Sequence, residues 1–238
     1  MMKIAIFIEG ESEMMFSSYL IKVIYGLDAI KIKYISFKLD DAYQENVKPE
    51  EGYGAQIKFI LFNCGNDKRV VNKLKENGES MLQKGYDAVI GLRDVKSQEY
   101  DKLTGKKIDS AIVKAMISNT RAVLEGFEGV ELFYAVMELE AWYLGLTNCL
   151  VKAGYNLQTI SATIGVNLEE IDPEKEFYNA KSTIQSFETA FTEIKFAHKI
   201  GSNLEETDIE EIEKANKLEH FIEYTNALKS YKKLLKMS

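Results

Sequence analysis

The stretch KIAIFIEG, residues 3–10, constrains the fold more than any other part of the chain: five consecutive β-prone apolar residues, 4–8, run straight into Glu9 and Gly10. An apolar run without alternation predicts a strand buried on both faces, as in the middle of a parallel sheet. Beyond Gly10 the period changes. Met14, Met15, Tyr19, Leu20, Val23 and Ile24 recur at helical spacing, with Ser12 as the expected N-cap. Strand, glycine turn and helix form the opening unit of an α/β domain.

The rest of the first 150 residues repeats the theme. Strands are expected over residues 31–39, 56–64, 86–92 and 130–136. Helices are expected after Asn66, where Val70, Val71, Leu74 and Leu82 recur, and over residues 108–124. The polar stretches DDAYQENVKPEEGYG (40–54) and RDVKSQEYDKLTGKK (93–107) read as loops. Strands alternating with helices predict an α/β fold with a mostly parallel, helix-covered sheet. From about Leu139 the strand signals fade, and Ile184, Phe187, Phe191, Ile194, Leu218, Phe221, Ile222 and Leu228 predict helices packed beside that sheet. A soft boundary near residue 150 therefore separates an α/β part, 1–150, from a helical part, 151–238.

Composition narrows the function classes. With 238 residues, 46% of them hydrophobic, the chain can bury a sizeable core. No apolar run approaches the roughly 20 residues that span a bilayer, and residues 4–8 lack the length of a secretory signal, so a soluble, cytoplasmic protein without membrane partners is expected. Cys64 and Cys149 stand far apart outside any CxxC or Cys/His cluster, and both read as buried apolar residues rather than zinc ligands. The formal charge of −7 is spread along the chain, with −3 over residues 1–150 and −4 over 151–238. Such a balance argues against a broadly basic nucleic-acid surface, while leaving room for a local basic groove or a metal-bridged contact. EETDIEEIE, residues 205–213, reads as a solvated helix face. Neither a G-x-x-x-x-G-K-[ST] loop nor a strand followed by G-x-G-x-x-G is present, which speaks against a P-loop ATPase or a Rossmann dehydrogenase.

Chemistry concentrates where strands end. Glu9 follows the first strand, Asp94 stands just past the fourth in GLRDVKS, and Glu138 and Glu140 follow the last in AVMELEAW. Ligands of open parallel sheets bind beyond the carboxyl ends of the strands. Hard oxygen ligands gathered there suit Mg²⁺ or Mn²⁺. The alternative is that each acid simply marks where a strand meets water.

On three segments the sequence resembles the Toprim-like proteins, the fold shared by topoisomerases, primases and overcoming-lysogenization-defect nucleases. Within that group it is most similar to uncharacterised bacterial Toprim-like proteins. The matching residues are Ile8-Glu9-Gly10-Glu11-Ser12-Glu13, Gly91-Leu92-Arg93-Asp94 and Glu138-Leu139-Glu140-Ala141-Trp142-Tyr143-Leu144. A weaker similarity runs through Tyr178-Asn179-Ala180-Lys181, Ile194-Lys195-Phe196-Ala197-His198 and Lys217-Leu218-Glu219-His220-Phe221.

The resemblance implies a Mg²⁺- or Mn²⁺-dependent phosphodiester hydrolase acting on DNA or RNA, with a role in defence against phage or plasmids. Analogy with related nucleases adds a partner such as an ATPase. The roles it implies are Glu9 near the reacting phosphate, Asp94 as a metal ligand and Glu140, in preference to Glu138, completing the acid cluster. Glu13 is either a further metal ligand or an acid favoured by the helix dipole. Glu11 is expected in solvent.

The usual Asp-x-Asp of that family stands here as Asp94-Val95-Lys96. Loss of the second acid favours an alternative, a catalytically silent Toprim-like module for protein interaction or ligand sensing. Gln98 or Glu99 could substitute if the loop folds back. Arg93, Lys96, Lys195 and His198 are candidate phosphate contacts, each with a solvated or structural role as its alternative. Lys102, Lys106 and Lys107 make a locally basic loop beside Lys96. Trp142, the single tryptophan, reads as a core anchor ahead of a base-stacking platform.

Overall fold

A computed structural model describes residues 1–37, 43–44 and 49–235. Strand β1, Met2–Ile8, leads into helix α1, Glu11–Tyr25. After a 3₁₀ turn at Leu27–Ala29 come β2, Ile30–Phe37, and two short strands, β3 at Tyr43–Gln44 and β4 at Glu50–Glu51. Next follow β5 (Ile57–Asn63), α2 (Asp67–Gln83), β6 (Ala88–Asp94), α3 (Gln98–Thr104), α4 (Ser110–Ala122) and β7 (Val130–Ala135). The remainder is helical: α5 (Leu139–Gly145), α6 (Thr147–Lys152), α7 (Leu157–Ile164), α8 (Pro173–Glu176), α9 (Ala180–Phe187), α10 (Glu193–Gly201), α11 (Glu206–Ala215) and α12 (Glu219–Leu235). The expected fold class, a mostly parallel sheet flanked by helices with a helical C-terminal part, is the one observed.

The sheet runs in the order β3-β2-β5-β1-β6-β7, with β4 also on β2. Strands β2, β5, β1, β6 and β7 are parallel, and only β3 and β4 are antiparallel to their neighbour. β1 sits between two parallel neighbours, as its unbroken apolar run requires. Its even-numbered residues Ile4, Ile6 and Ile8 join a core with α1, α5 and α12, while Ala5 and Phe7 join a second core with α2 and α4. The helices after β1 and β6 therefore leave the sheet on opposite faces. In open α/β sheets such a switch point, at the carboxyl ends of the adjacent strands, is the crevice in which ligands bind. Gly91, in β6, lets α2 press close: a Cβ there would lie 2.6 Å from Leu74 Cδ1 and 2.8 Å from Leu132 Cδ1.

Several boundaries differ from expectation. β6 runs on to Asp94, because Arg93 and Asp94 continue the ladder against Tyr134 and Ala135. The following polar stretch holds α3, capped by the Ser97 side chain and pinned by fully buried Tyr100. The loop expected over 40–54 contains β3 and β4, while its residues 40–42 and 45–48, and residues 38–39 of the expected second strand, lie outside the described residues. Gly10, not Ser12, is the N-cap of α1. Of the acidic stretch 205–213, Asp208 is buried and paired with Lys152, so that face is only partly solvated. Both cysteines are buried, as expected. Among the described residues no helix is long and apolar enough to cross a membrane.

Candidate functional site

Sheet register brings the first two acids together. Ile8 of β1 pairs with Leu92 of β6, so Glu9 emerges alongside Arg93 and Asp94. Asp94 in turn pairs with Ala135 at the end of β7, from which the chain proceeds to Glu138 and Glu140. Between them Met137 holds a left-handed conformation, φ 67°, which few residues without glycine's freedom adopt. That turn sets Glu138 as the N-cap of α5 and Glu140 in its first turn.

Glu13 arrives from the other side. It is the third residue of α1; its carboxylate accepts from Ser12 Oγ at 3.1 Å, and its own amide and that of Gly10 favour the charged form against burial. A carboxylate at this position satisfies helix-terminal amides that have no intrahelical partner. Gly10 makes the room, since a Cβ on it would lie 2.9 Å from Glu13 Oε2. Glu13 is therefore a structural cap as well as a member of the cluster.

The electrostatics follow from this arrangement. Burial first, and then the charges of Glu9, Glu13, Glu140 and Glu138, push the Asp94 carboxyl well above the usual carboxylate range. Burial followed by Glu138 raises Glu140 to about 7, against the small opposing effect of Lys181. Burial raises Glu13 as well. Asp94 keeps an accessible edge, yet its Oδ1 is enclosed and meets no hydrogen-bond partner among the described residues. Five carboxylates from three chain segments thus act on one another.

The remaining candidates fall into place around this cluster. Lys96, two residues beyond Asp94, places Nζ 2.9 Å from Glu138 Oε1, and the other Glu138 oxygen accepts the Lys181 amide at 3.2 Å. Lys96 also lies over the Tyr178 ring, 5.1 Å from its centroid. Glu138 is thereby occupied in holding α5 and α9 together, which leaves Glu140 as the acid of this pair that is not tied to a lysine amine. Arg93, by strand alternation, points to the face opposite Asp94, where it pairs across the ladder with Tyr134. Glu99 is exposed on α3 and does not replace the second acid. Glu11 is exposed, as expected.

Lys195 and His198 share α10, and both are exposed; His198 Nδ1 is engaged by the Tyr19 hydroxyl at 2.5 Å. His198 is thus a packing partner of α1. Trp142 is a core anchor: it is fully buried, stacked on Tyr224, and donates Nε1–H to Glu174 Oε1 at 2.8 Å. Two neighbours of the cluster lie in the matching segments but were given no role from sequence: Lys181, the second residue of α9, and Tyr143, one turn beyond Glu140 on α5. The spacing of three residues between Glu140 and Tyr143 was the available signal for the second.

Among the described residues, no group of three or more His, Cys, Asp or Glu side chains is arranged to hold a metal ion as it stands. The donor chemistry nevertheless fits Mg²⁺ or Mn²⁺. Every group is a hard oxygen, Asp94 Oδ1 is enclosed without a partner, and such cations commonly take one or two carboxylates with water and phosphate oxygens completing the shell. No protein-family model, no curated protein and no solved structure matches the chain.

Proposed function

We propose that the chain is a Toprim-like, Mg²⁺- or Mn²⁺-dependent phosphodiester hydrolase of DNA or RNA, with Asp94 and Glu140 holding the cation and Glu9 beside the reacting phosphate. The observation that carries this reading is the convergence of these acids, remote in sequence, on the crevice between β1 and β6. A bound cation supplies an activated water and a counter-charge to the phosphate. Glu9, at the mouth of the crevice, then accepts a proton or orients the water. The acidic balance of the chain supports weak binding of nucleic acid on its own, with a partner such as an ATPase supplying affinity in defence against phage or plasmids. Incubation with plasmid and with single-stranded RNA, with Mg²⁺, Mn²⁺ or chelator, tests the proposal. Metal-dependent cleavage lost in Glu9→Gln and Asp94→Asn is expected. Cleavage that persists in both variants excludes the mechanism.

A second reading is favoured by one observation, the lysine that stands where a second metal-binding acid is usual and is tied to Glu138. It makes the chain a catalytically silent module for protein interaction or ligand sensing. Absence of any rise in melting temperature with millimolar Mg²⁺ or Mn²⁺ selects this reading, because a ligand that binds the native state stabilises it.

A further inference from the structure

One buried polar group beside the acids has no role in the account above. Tyr143 lies on α5 three residues beyond Glu140, so the two side chains share a helix face. The residue is fully buried, and its ring packs edge-on against Phe16 of α1, with centroids 5.2 Å apart. That packing fixes the ring from the α1 side. Its hydroxyl has no hydrogen-bond partner among the described residues, although most buried hydroxyls have one. The charges that act on it are those of Glu140, Glu13 and Asp94. Asp94 Oδ1, in the same cluster, is likewise enclosed without a partner.

A neutral donor and an acceptor, both enclosed and both unpartnered, therefore lie among the same carboxylates. A phenylalanine would fill the same volume and spare the cost of an unmet hydroxyl. We propose that Tyr143 is a positioning residue of the cation site, its free hydroxyl poised to donate a hydrogen bond to the oxygen shell that forms when a divalent cation binds Asp94 and Glu140. This rests on the functional reading above. It adds that the site is set from beneath by α5, with Tyr143 restraining the ligands while the cation faces the crevice. The tyrosine touches neither substrate nor the reacting phosphate, so it acts through the acids.

The test is a titration of Mn²⁺ against melting temperature for the wild type, Asp94→Asn and Tyr143→Phe. The expected result is Mn²⁺-dependent stabilisation in the wild type and its loss in Asp94→Asn. In Tyr143→Phe the half-saturating Mn²⁺ concentration should rise about tenfold, the scale of one hydrogen bond to an ionised group. The metal-free melting temperature of Tyr143→Phe should not fall, which separates positioning from a purely structural role. Stabilisation lost in Asp94→Asn but with an unchanged midpoint in Tyr143→Phe overturns this inference alone. A wild type indifferent to Mn²⁺ overturns it together with the reading on which it rests. Should Tyr143→Phe fold poorly, 3-fluorotyrosine placed at position 143 keeps the hydroxyl. Its fluorine resonance is then expected to shift with Mg²⁺ at the same midpoint as the melting temperature, and a resonance insensitive to Mg²⁺ overturns the inference.

Discussion

Lys96 Nζ lies 2.9 Å from Glu138 Oε1, joining the residue two beyond the strand-end aspartate to the cap of the helix that carries Glu140. Both side chains are mostly buried, at 17% and 15% exposure, so the pair is less screened than a surface ion pair. The pairing partly offsets the charge with which Glu138 still raises Glu140 and Asp94. A cycle of Lys96→Met, Glu138→Gln and the double variant should give a coupling of about 1–2 kcal/mol by urea unfolding. Additive effects would show that the pair contributes nothing to stability.

Glu140 should destabilise the metal-free protein at alkaline pH. Its carboxyl is raised from 4.5 to about 7, chiefly by burial and then by Glu138. The folded value exceeds the unfolded one, so its contribution is fully present below pH 4.5 and is lost as pH rises through about 7. Glu140→Gln removes the ionisation. Without metal it should be more stable than wild type at about pH 8, by about 2–3 kcal/mol, and close to wild type at about pH 4. Denaturant unfolding at the two pH values checks this, and equal stabilities at both would contradict it.

Gly10→Ala tests the seat of Glu13. The backbone there is extended, φ −144°, so alanine brings no conformational strain. The added methyl would meet Glu13 Oε2 at 2.9 Å and push the buried carboxylate from its cap. A loss of about 1 kcal/mol is expected, with weaker Mn²⁺ stabilisation. An alanine variant equal to wild type in both respects would mean that Glu13 moves aside without consequence.

His220 should give a slope of opposite origin, in the helical part. Its ring pairs with Glu174 at 3.1 Å, and Glu174 also accepts from Trp142. Burial lowers the imidazole pKa, but Glu174, with Glu223 and Glu219 beyond it, outweighs burial and leaves the value raised above 6.5. This stabilisation is fully present below pH 6.5 and is lost as pH rises through the folded value. Urea unfolding of wild type and His220→Asn at steps across that range should show stability converging as pH rises. A constant difference would exclude the linkage.

The fold was legible wherever apolar residues ran on unbroken. Residues 4–8, 59–62 and 88–92 could only be strands of a helix-covered sheet, because burial on both faces leaves no place for a polar side. The end of β6 was hidden because Arg93 and Asp94 are charged. They remain in the ladder because β7 pairs with them, a partnership invisible in the local pattern. Helix α3 was hidden for a similar reason: one buried tyrosine and one serine cap hold a segment that is otherwise polar.

Of the candidate site, Glu9 just past β1 and Asp94 at the last position of β6 could be read from their nearness to strand ends, since in a parallel sheet all such places share an edge. The choice between Glu138 and Glu140 depended on where β7 ends and α5 begins, and Met137 makes that turn with a conformation its residue type does not advertise. The partner of Lys96 depended on the same turn. His198 shows the converse. It was a candidate phosphate contact and packs against Tyr19, whereas Trp142 is the core anchor it was read as, stacked on Tyr224 and bonded to Glu174.

The most direct measurement is anomalous diffraction from crystals soaked in Mn²⁺. The account predicts one peak in the crevice between β1 and β6, about 2.0–2.3 Å from an Asp94 oxygen and within a coordination shell shared by Glu140 and Glu9. Anomalous density elsewhere on the molecule, or an Asp94 carboxylate left untouched at saturating Mn²⁺, would contradict it.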